Sequence, residues 1–306
     1  MGENRFFKIA QITDLHLSSF RNPGPEQRTL ALVEEIAEAE KPDLFVCTGD
    51  LAWRHDCVPC MKEFCRFMDE HRYPWTFAYG NHERDYGPPT RVLERIMTES
   101  EYCIFDRGPD DVRGQSNYAV GVYNREERLR FLLWMVDNCE YTTLRGRPVT
   151  AYIDSSQIDW FTEEKKRLST EFGDGARSLF FMHIPLPEYQ HAYDAGAAVG
   201  NCLENICMPE INSGAFAAML EMGDVLGVFV GHDHTNDFVA DWHGVKLCYG
   251  RTTGYCDHRR GGYPNSDFAR GARIILLDQQ RVDRLETYLY LCGGEIVRQE
   301  KGEDAQ

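Results

Sequence analysis

Val228-Phe229-Val230-Gly231-His232-Asp233-His234 is the stretch from which the rest of the chain can be read. An apolar run of strand length stops at a glycine and presents two histidines, one residue apart, at its C-terminal end. Four earlier pieces share that grammar. Asp14-Leu15-His16, Gly49-Asp50, Gly80-Asn81-His82-Glu83 and Met182-His183 each close an apolar run with a turn carrying Asp, Asn or His. In an open sheet flanked by helices, such turns collect at the carboxyl ends of the strands, where ligands bind. Five separated segments are therefore expected to converge on one crevice.

Working outward, Phe6 to Thr13, Leu44 to Thr48 and Trp75 to Tyr79 read as strands. Amphipathic helices over Glu26 to Glu40 and Val58 to Met68 separate them, a βαβαβ alternation that implies parallel pairing with right-handed crossovers. Pro88 to Ser100 reads as a further helix, and Asn117 to Tyr123 with Leu129 to Asp137 as adjacent strands opening a second sheet. Ser156-Gln157-Ile158-Asp159 resembles a capping box at the head of the next helix, and Leu179 to Met182 is the strand before His183. Residues 184 to 211, rich in Pro, Gly and Ala, read as a long loop holding Tyr189, His191 and Tyr193, a length usually tied to function. Asn212 is expected to cap a helix through Met222. Beyond the histidine pair, Phe238 to Ala240, Val245 to Tyr249, Ala272 to Leu277 and Leu285 to Leu291 read as antiparallel strands. No repeat, linker or low-complexity break divides the chain, so one domain over residues 1–306 is expected.

Composition narrows the function classes. With 42% hydrophobic and 12% aromatic residues the chain can bury a sizeable core. Its 33 basic against 49 acidic residues leave a net charge of −16, which argues against nucleic acid as partner, because phosphate-backbone binding needs a basic footprint. A small anionic substrate is still compatible if cations supply local positive charge. No apolar run reaches the about 18 residues a membrane span needs, and no basic start with an apolar core marks a leader, so a cytoplasmic location is expected. Eleven scattered cysteines suggest reduced core thiols rather than a disulfide framework, with a Cys202–Cys207 pair left open. Cys57-Val58-Pro59-Cys60 imitates a redox pair, but proline in a first helical turn is ordinary and the surrounding pattern is not that of a redox fold.

Taken as ligands, Asp14, His16, Asp50, Asn81, His183, His232 and His234 supply two carboxylates, an amide oxygen and four imidazoles. That is too many donors for one four-coordinate zinc, and thiolates are missing. Nitrogen and oxygen mixtures suit Mn, Fe, Zn, Co or Ni. Seven ligands divide over two metals if one carboxylate bridges, and metals about 3.5–4 Å apart are what phosphate-ester hydrolysis uses.

In that order, Asp14-x-His16, Gly49-Asp50, Gly80-Asn81-His82-Glu83, His183 and Gly231-His232-x-His234 resemble the five signature blocks of the calcineurin-like metallophosphoesterases. The resemblance implies an α/β fold, a four-layer α/β/β/α sandwich of two mixed sheets flanked by helices. It also implies a dinuclear centre of divalent or trivalent ions, Mn, Fe or Zn. Asp14, His16, Asp50 and His234 would hold one ion, and Asp50, Asn81, His183 and His232 the other, with Asp50 as the bridge. His82 would protonate the leaving group and contact the phosphate, with Glu83 behind it. The run His183-Ile184-Pro185-Leu186-Pro187-Glu188-Tyr189, with Asn212-Ser213-Gly214, Asn236-Asp237-Phe238 and Leu247-Cys248-Tyr249-Gly250, is similar to the short purple acid phosphatase-like branch. The purple enzymes carry Gly where His16 stands and a metal-bound Tyr where Trp53 stands, so no purple charge-transfer colour is expected.

The function these readings imply is metal-dependent phosphoester hydrolysis. A phosphomonoester would be attacked by a metal-bridging hydroxide, with His82 as acid and Asp50 and Asn81 as catalytic ligands. A phosphodiesterase and a catalytically silent scaffold of the same fold are the rivals, and the charge disfavours a nuclease. A small phosphorylated substrate or a phosphoprotein is the expected partner, with neither nucleic acid nor membrane. His191 and Tyr255 are expected to border the crevice and touch substrate, beside Tyr193, Asp257, His258 and Arg259.

Overall fold

A computed structural model describes residues 5–18, 23–52, 56–84, 90–139, 141–255 and 268–300. Three parallel strands, β1 (Phe6–Ile12), β2 (Leu44–Thr48) and β3 (Trp75–Ala78), form half of the first sheet. Their register sets Ile12 beside Cys47 and Cys47 beside Phe77, so the three turns that follow leave one edge at one level. β13 (Gly271–Asp278) pairs antiparallel with β1, and β14 (Leu285–Leu291) and β15 (Glu295–Val297) complete the order β15-β14-β13-β1-β2-β3.

The second sheet runs β4-β5-β8-β10-β12-β11-β9. β5 (Leu129–Met135), β8 (Arg177–Phe181), β10 (Val225–Val230) and β12 (Val245–Tyr249) are parallel at its centre. β4 (Tyr118–Tyr123), β11 (Val239–Trp242) and the short β9 (Ala198–Val199) flank them antiparallel.

Side-chain alternation sorts each strand between two cores, because successive residues point to opposite faces. Ile9, Leu44 and Val46 from the first sheet meet Leu133, Phe181 and Phe229 from the second in a cluster between the sheets. The alternate residues Ala10, Ile12, Phe45 and Cys47 face outward under α1 (Pro23–Glu40), α2 (Cys57–His71) and α3 (Thr90–Glu99). On the other side Val228 and Val230 pack under α4 (Ser155–Phe172), α5 (Pro187–Asp194) and α6 (Ala215–Met222). This is the expected α/β/β/α sandwich, and burial on both faces explains the continuous apolar runs. A fully buried Gln11 ties the sheets together, its Nε2 donating to Thr48 Oγ1 and to Val230 O, each at 3.0 Å.

Several local expectations need correction. The helix expected from a Ser156 box is capped by Asp154, which accepts from the Ser156 and Gln157 amides, while the Gln157 side chain returns to the Asp154 amide. Residues 184 to 211 are not one loop: α5 starts on Pro187, whose fixed φ suits a first helical position, and β9 follows. Gly214, not Asn212, is the cap of α6, and Asn212 instead accepts from the Gly214 amide and donates to Glu188. An unforeseen hairpin, β6 (Tyr141–Leu144) and β7 (Arg147–Thr150), interrupts the path from β5 to α4. No disulfide joins Cys202 to Cys207 or Cys57 to Cys60, and the latter two are buried. No helix among the described residues is long and apolar enough to cross a membrane.

Candidate metal centre

The five turns meet where the carboxyl ends of the two sheets face each other. Backbone hydrogen bonds lace them together: Asp14 N to Gly49 O, His16 N to Asp50 O, and Gly231 N to His183 O. Four of the residues so placed sit in the left-handed region, Asp14 at φ 53°, His16 at 46°, Asp50 at 51° and His232 at 76°. For non-glycine residues this costs about 1 kcal/mol or more each, a strain that persists where a site dictates the conformation. Two glycines serve close approach instead. A Cβ on Gly231 would collide with Thr13 Oγ1 and Asp14 Oδ2, and one on Gly80 with the Asp50 carboxylate.

Within this frame the donors gather in two groups, Asp14, His16 and His234 in one and Asp50, His183 and His232 in the other, linked by a third of His16, Asp50 and His82. His16 Nε2 lies 3.0 Å from His234 Nε2, and His234 Nε2 lies 3.3 Å from Asp14 Oδ1. His183 Nε2 lies 3.3 Å from His232 Nδ1 and 3.1 Å from Asp50 Oδ2. Asp50 Oδ2 joins the groups, because the same oxygen is 3.7 Å from His16 Nε2 and 3.8 Å from His82 Nε2. Asn81 Oδ1 is buried without a hydrogen-bond partner, which is the condition of an oxygen meant for a cation.

The electrostatics agree with that fit. Burial pushes the Asp50 and Asp14 carboxyls up, but the facing imidazoles, His183 for Asp50 and His234 for Asp14, outweigh it and hold both below the usual carboxylate range. Burial pushes His183 down, yet Asp50 overrides it and lifts the imidazole to about 10. His16 is pushed down by burial and by His234, and His232 to about 3 by burial and by His183. The two buried carboxylates are thus held ionised beside the imidazoles, and cations bound here would take ionised carboxylates and neutral imidazoles as ligands. The donor set, oxygen and nitrogen without thiolate, fits Mn, Fe or Zn.

A second ring of residues orients the ligands. Thr48 O accepts from His183 Nδ1 at 2.7 Å if that nitrogen carries the proton, which leaves Nε2 for a metal. His232 N and Thr13 Oγ1 donate to Asp14 Oδ2, and His82 N donates to Asp50 Oδ1. The buried Glu83 accepts Leu51 N (2.7 Å), Gly80 N (2.8 Å), Asp50 N (3.2 Å) and, at longer range, Ala52 N (3.4 Å). One carboxylate therefore clamps both the Asp50 turn and the Asn81 turn. Burial and the Asp50 charge push it up to about 7. Asp233 accepts from Tyr249 Oη and Cys207 N.

All seven expected ligands and His82 thus belong to one crevice, whereas His191 and Tyr255 do not enter it. His191 is exposed in the last turn of α5, with no side-chain contact to the cluster among the described residues. The Tyr255 ring packs under Arg28 at 4.0 Å, beside the first sheet's outer core, so its phenol is engaged away from the cluster. Trp53, Asp257, His258 and Arg259 lie outside the described residues. Sequence reasoning missed Arg84, two residues after His82, which pairs with the buried Asp137. It also missed Cys207, whose sulfur lies within 4.8 Å of His232 and Asp233 donor atoms. Both are contacts between segments far apart in the chain.

This chain belongs to the calcineurin-like phosphoesterase family, whose pattern it matches over residues 7–236. The family supports metal-dependent phosphoester hydrolysis as the chemistry of the fold. The chain is 28% identical to the "probable inactive purple acid phosphatase 29" of Arabidopsis thaliana, over 90% of this chain and 77% of that protein. It is 29% identical to phosphatase DCR2 of Saccharomyces cerevisiae, over 80% of this chain and 47% of the yeast protein. A dimetal phosphatase from Danio rerio shares the fold with a TM-score of 0.60 at 14% identity, covering 97% of this chain and all of that one.

Proposed function

We propose that the chain is a two-metal phosphomonoesterase. The observation that carries this reading is the position of Asp50, whose Oδ2 stands between His183 Nε2 at 3.1 Å and His16 Nε2 at 3.7 Å, as a bridging ligand would. Asp14, His16, Asp50 and His234 would hold one ion and Asp50, Asn81, His183 and His232 the other. When bound, the ions, Mn, Fe or Zn, supply the positive charge that clamps phosphoryl oxygens and acidifies water. The chain's own residues do the rest. The buried carboxylates and imidazoles exclude bulk water from the crevice floor. His82, with its side chain 22% exposed, faces the open side, where it can hold a proton at Nε2 and pass it to the departing oxygen.

The phosphatase names of the yeast and zebrafish proteins support a monoester. The word "inactive" in the plant name belongs to that protein. In this chain every donor is present, and the left-handed strain at four of them is a cost that a silent scaffold has no need to keep.

The test compares hydrolysis of p-nitrophenyl phosphate with its bis ester, after metal stripping and reloading with Mn, Zn or Fe, using Asp50→Asn as the blank. Metal-dependent turnover of the monoester, lost in the variant, is expected. Preference for the bis ester would make the chain a phosphodiesterase. Two bound metals without turnover of either ester would overturn the reading as a general phosphatase and leave a narrow specificity or a scaffold.

A further inference from the structure

The hairpin β6–β7 has no counterpart in the machinery above. Its strands pair only with each other among the described residues, through a two-residue turn in which Arg145 (φ 49°) and Gly146 (φ 77°) are both left-handed. Such a turn matches the twist of its strands and makes a tight, well-registered hairpin. None of the ten residues from Tyr141 to Thr150 is buried; Tyr141 is 67% and Leu144 41% exposed. A free two-stranded hairpin is marginal in water by itself, so this arm draws its placement from its base.

That base stands at the metal centre. Just before the hairpin, Asp137 pairs with Arg84 of the His82 turn, and Asn138 exchanges two hydrogen bonds with Ile184, the residue after His183. Just after it, Ala151 and Ile153 are buried and Asp154 caps α4. The base of the arm is therefore tied to the His82 and His183 turns. A four-residue strand spans about 13 Å, the reach of about four residues of an extended peptide.

Its chemistry differs from that of the surface around it. In a chain of net charge −16, Arg145 and Arg147 stand exposed at the tip, and neither has an ion-pair partner among the described residues. Among the described residues neither hairpin edge pairs with a further strand, which leaves the usual docking rail for an added strand.

We propose that β6–β7 is a docking arm for the extended acidic segment that flanks the phosphorylated residue of a phosphoprotein. This names the substrate class of the proposed phosphomonoesterase and rests on that reading. Arg145 and Arg147 take the acidic side chains within about four positions of the phosphate, Leu144, directly across the ladder from Arg147, lies against that stem, and a strand edge takes the peptide backbone.

The test uses the full, metal-loaded chain with two phosphoserine peptides of equal length, one flanked by Asp and Glu and one by Lys, and p-nitrophenyl phosphate as the reference. The paired variant Arg145→Asp with Arg147→Glu keeps the turn, because Asp tolerates the left-handed conformation; Arg145→Asn with Arg147→Gln serves as a milder control. The acidic peptide should exceed the basic one about tenfold in kcat/KM, and the charge-reversed arm should lower the ratio of acidic peptide to reference ester about tenfold. Binding of the acidic peptide with a non-hydrolysable phosphonate, followed by fluorescence anisotropy, should weaken in parallel. If all substrates stay inert but phosphonate binding still depends on the arm, docking stands and the catalytic reading falls. If esters turn over and neither peptide preference nor binding responds to the arm, docking is overturned while catalysis stands. A variant that changes the oligomeric state by light scattering would instead assign the arm to a second copy of the chain and overturn the proposal.

Discussion

Replacing Glu83 with Gln probes the clamp beneath the metal centre. The carboxylate accepts four backbone amides, two of them at 2.7 and 2.8 Å, from the turns that carry Asp50 and Asn81. Gln keeps one acceptor oxygen and turns an NH2 toward the other pair of amides, so two buried hydrogen bonds become donor-to-donor contacts. At about 1–3 kcal/mol for each buried group left unsatisfied, the gross loss is roughly 2–6 kcal/mol. Relief of the buried charge opposes it, and its size follows from the carboxyl's rise from 4.5 to about 7. Because the folded value is the raised one, the stability of the parent's neutral form is complete below about 4.5 and is lost as pH rises through about 7. That amounts to about 3 kcal/mol at about 1.4 kcal/mol per pH unit. In metal-stripped protein, guanidinium denaturation should therefore find the variant about 2–4 kcal/mol less stable near pH 5, with the gap narrowing above pH 7. Calorimetric titration of metal into the variant should show affinity down about 10–100-fold, the usual cost of losing a residue that orients ligands. Equal stability within about 0.5 kcal/mol across that pH range, with unchanged metal affinity, would refute the clamp.

Three further outcomes are expected. Gly231→Ala drives a methyl into Thr13 and Asp14; it should cost about 1–3 kcal/mol by thermal denaturation and reduce metal stoichiometry, since a buried threonine side chain and a ligand carboxylate are what must move. Asp237→Asn leaves the buried Arg251 guanidinium without its counter-charge and weakens the bonds to Asn201 and Gln299; a loss of about 3–5 kcal/mol in denaturant unfolding is expected. Chelation of the metals should lower the melting temperature, by about 4 kcal/mol of stability for each ion supplied at 1,000 times its dissociation constant, and reloading should restore it; a melting curve indifferent to chelator would show that no metal binds the folded chain.

The candidate centre was largely legible in the sequence because its chemistry tolerates few residue types. Asp14, Asp50, Asn81, His183, His232 and His234 stand out as polar donors at the ends of apolar strands, a place where an uncompensated polar side chain is costly. Less legible were α5 and the β6–β7 hairpin. α5 is short and opens with Pro187, which reads as a breaker until its position as the first helical residue is known. The hairpin is exposed throughout and so lacks the alternation that betrays a half-buried strand. Position in the sequence likewise does not say which way a side chain points: His191 is exposed in α5, and Arg28 stacks on the Tyr255 ring.

Order along the chain was enough to fix the donors, the alternation of strands and helices, and hence the family of folds, since those follow from local periodicity and residue chemistry. It could not assign the later strands to their sheets. β11 and β12 stay with β10 in the second sheet, while β13 and β14 cross to β1 in the first. That crossing, Gln11 bridging the sheets, and Arg84 meeting Asp137 are long-range pairings. Each depends on which faces are left unburied once the other strands are in place, a quantity that belongs to the packed molecule and to no segment of it.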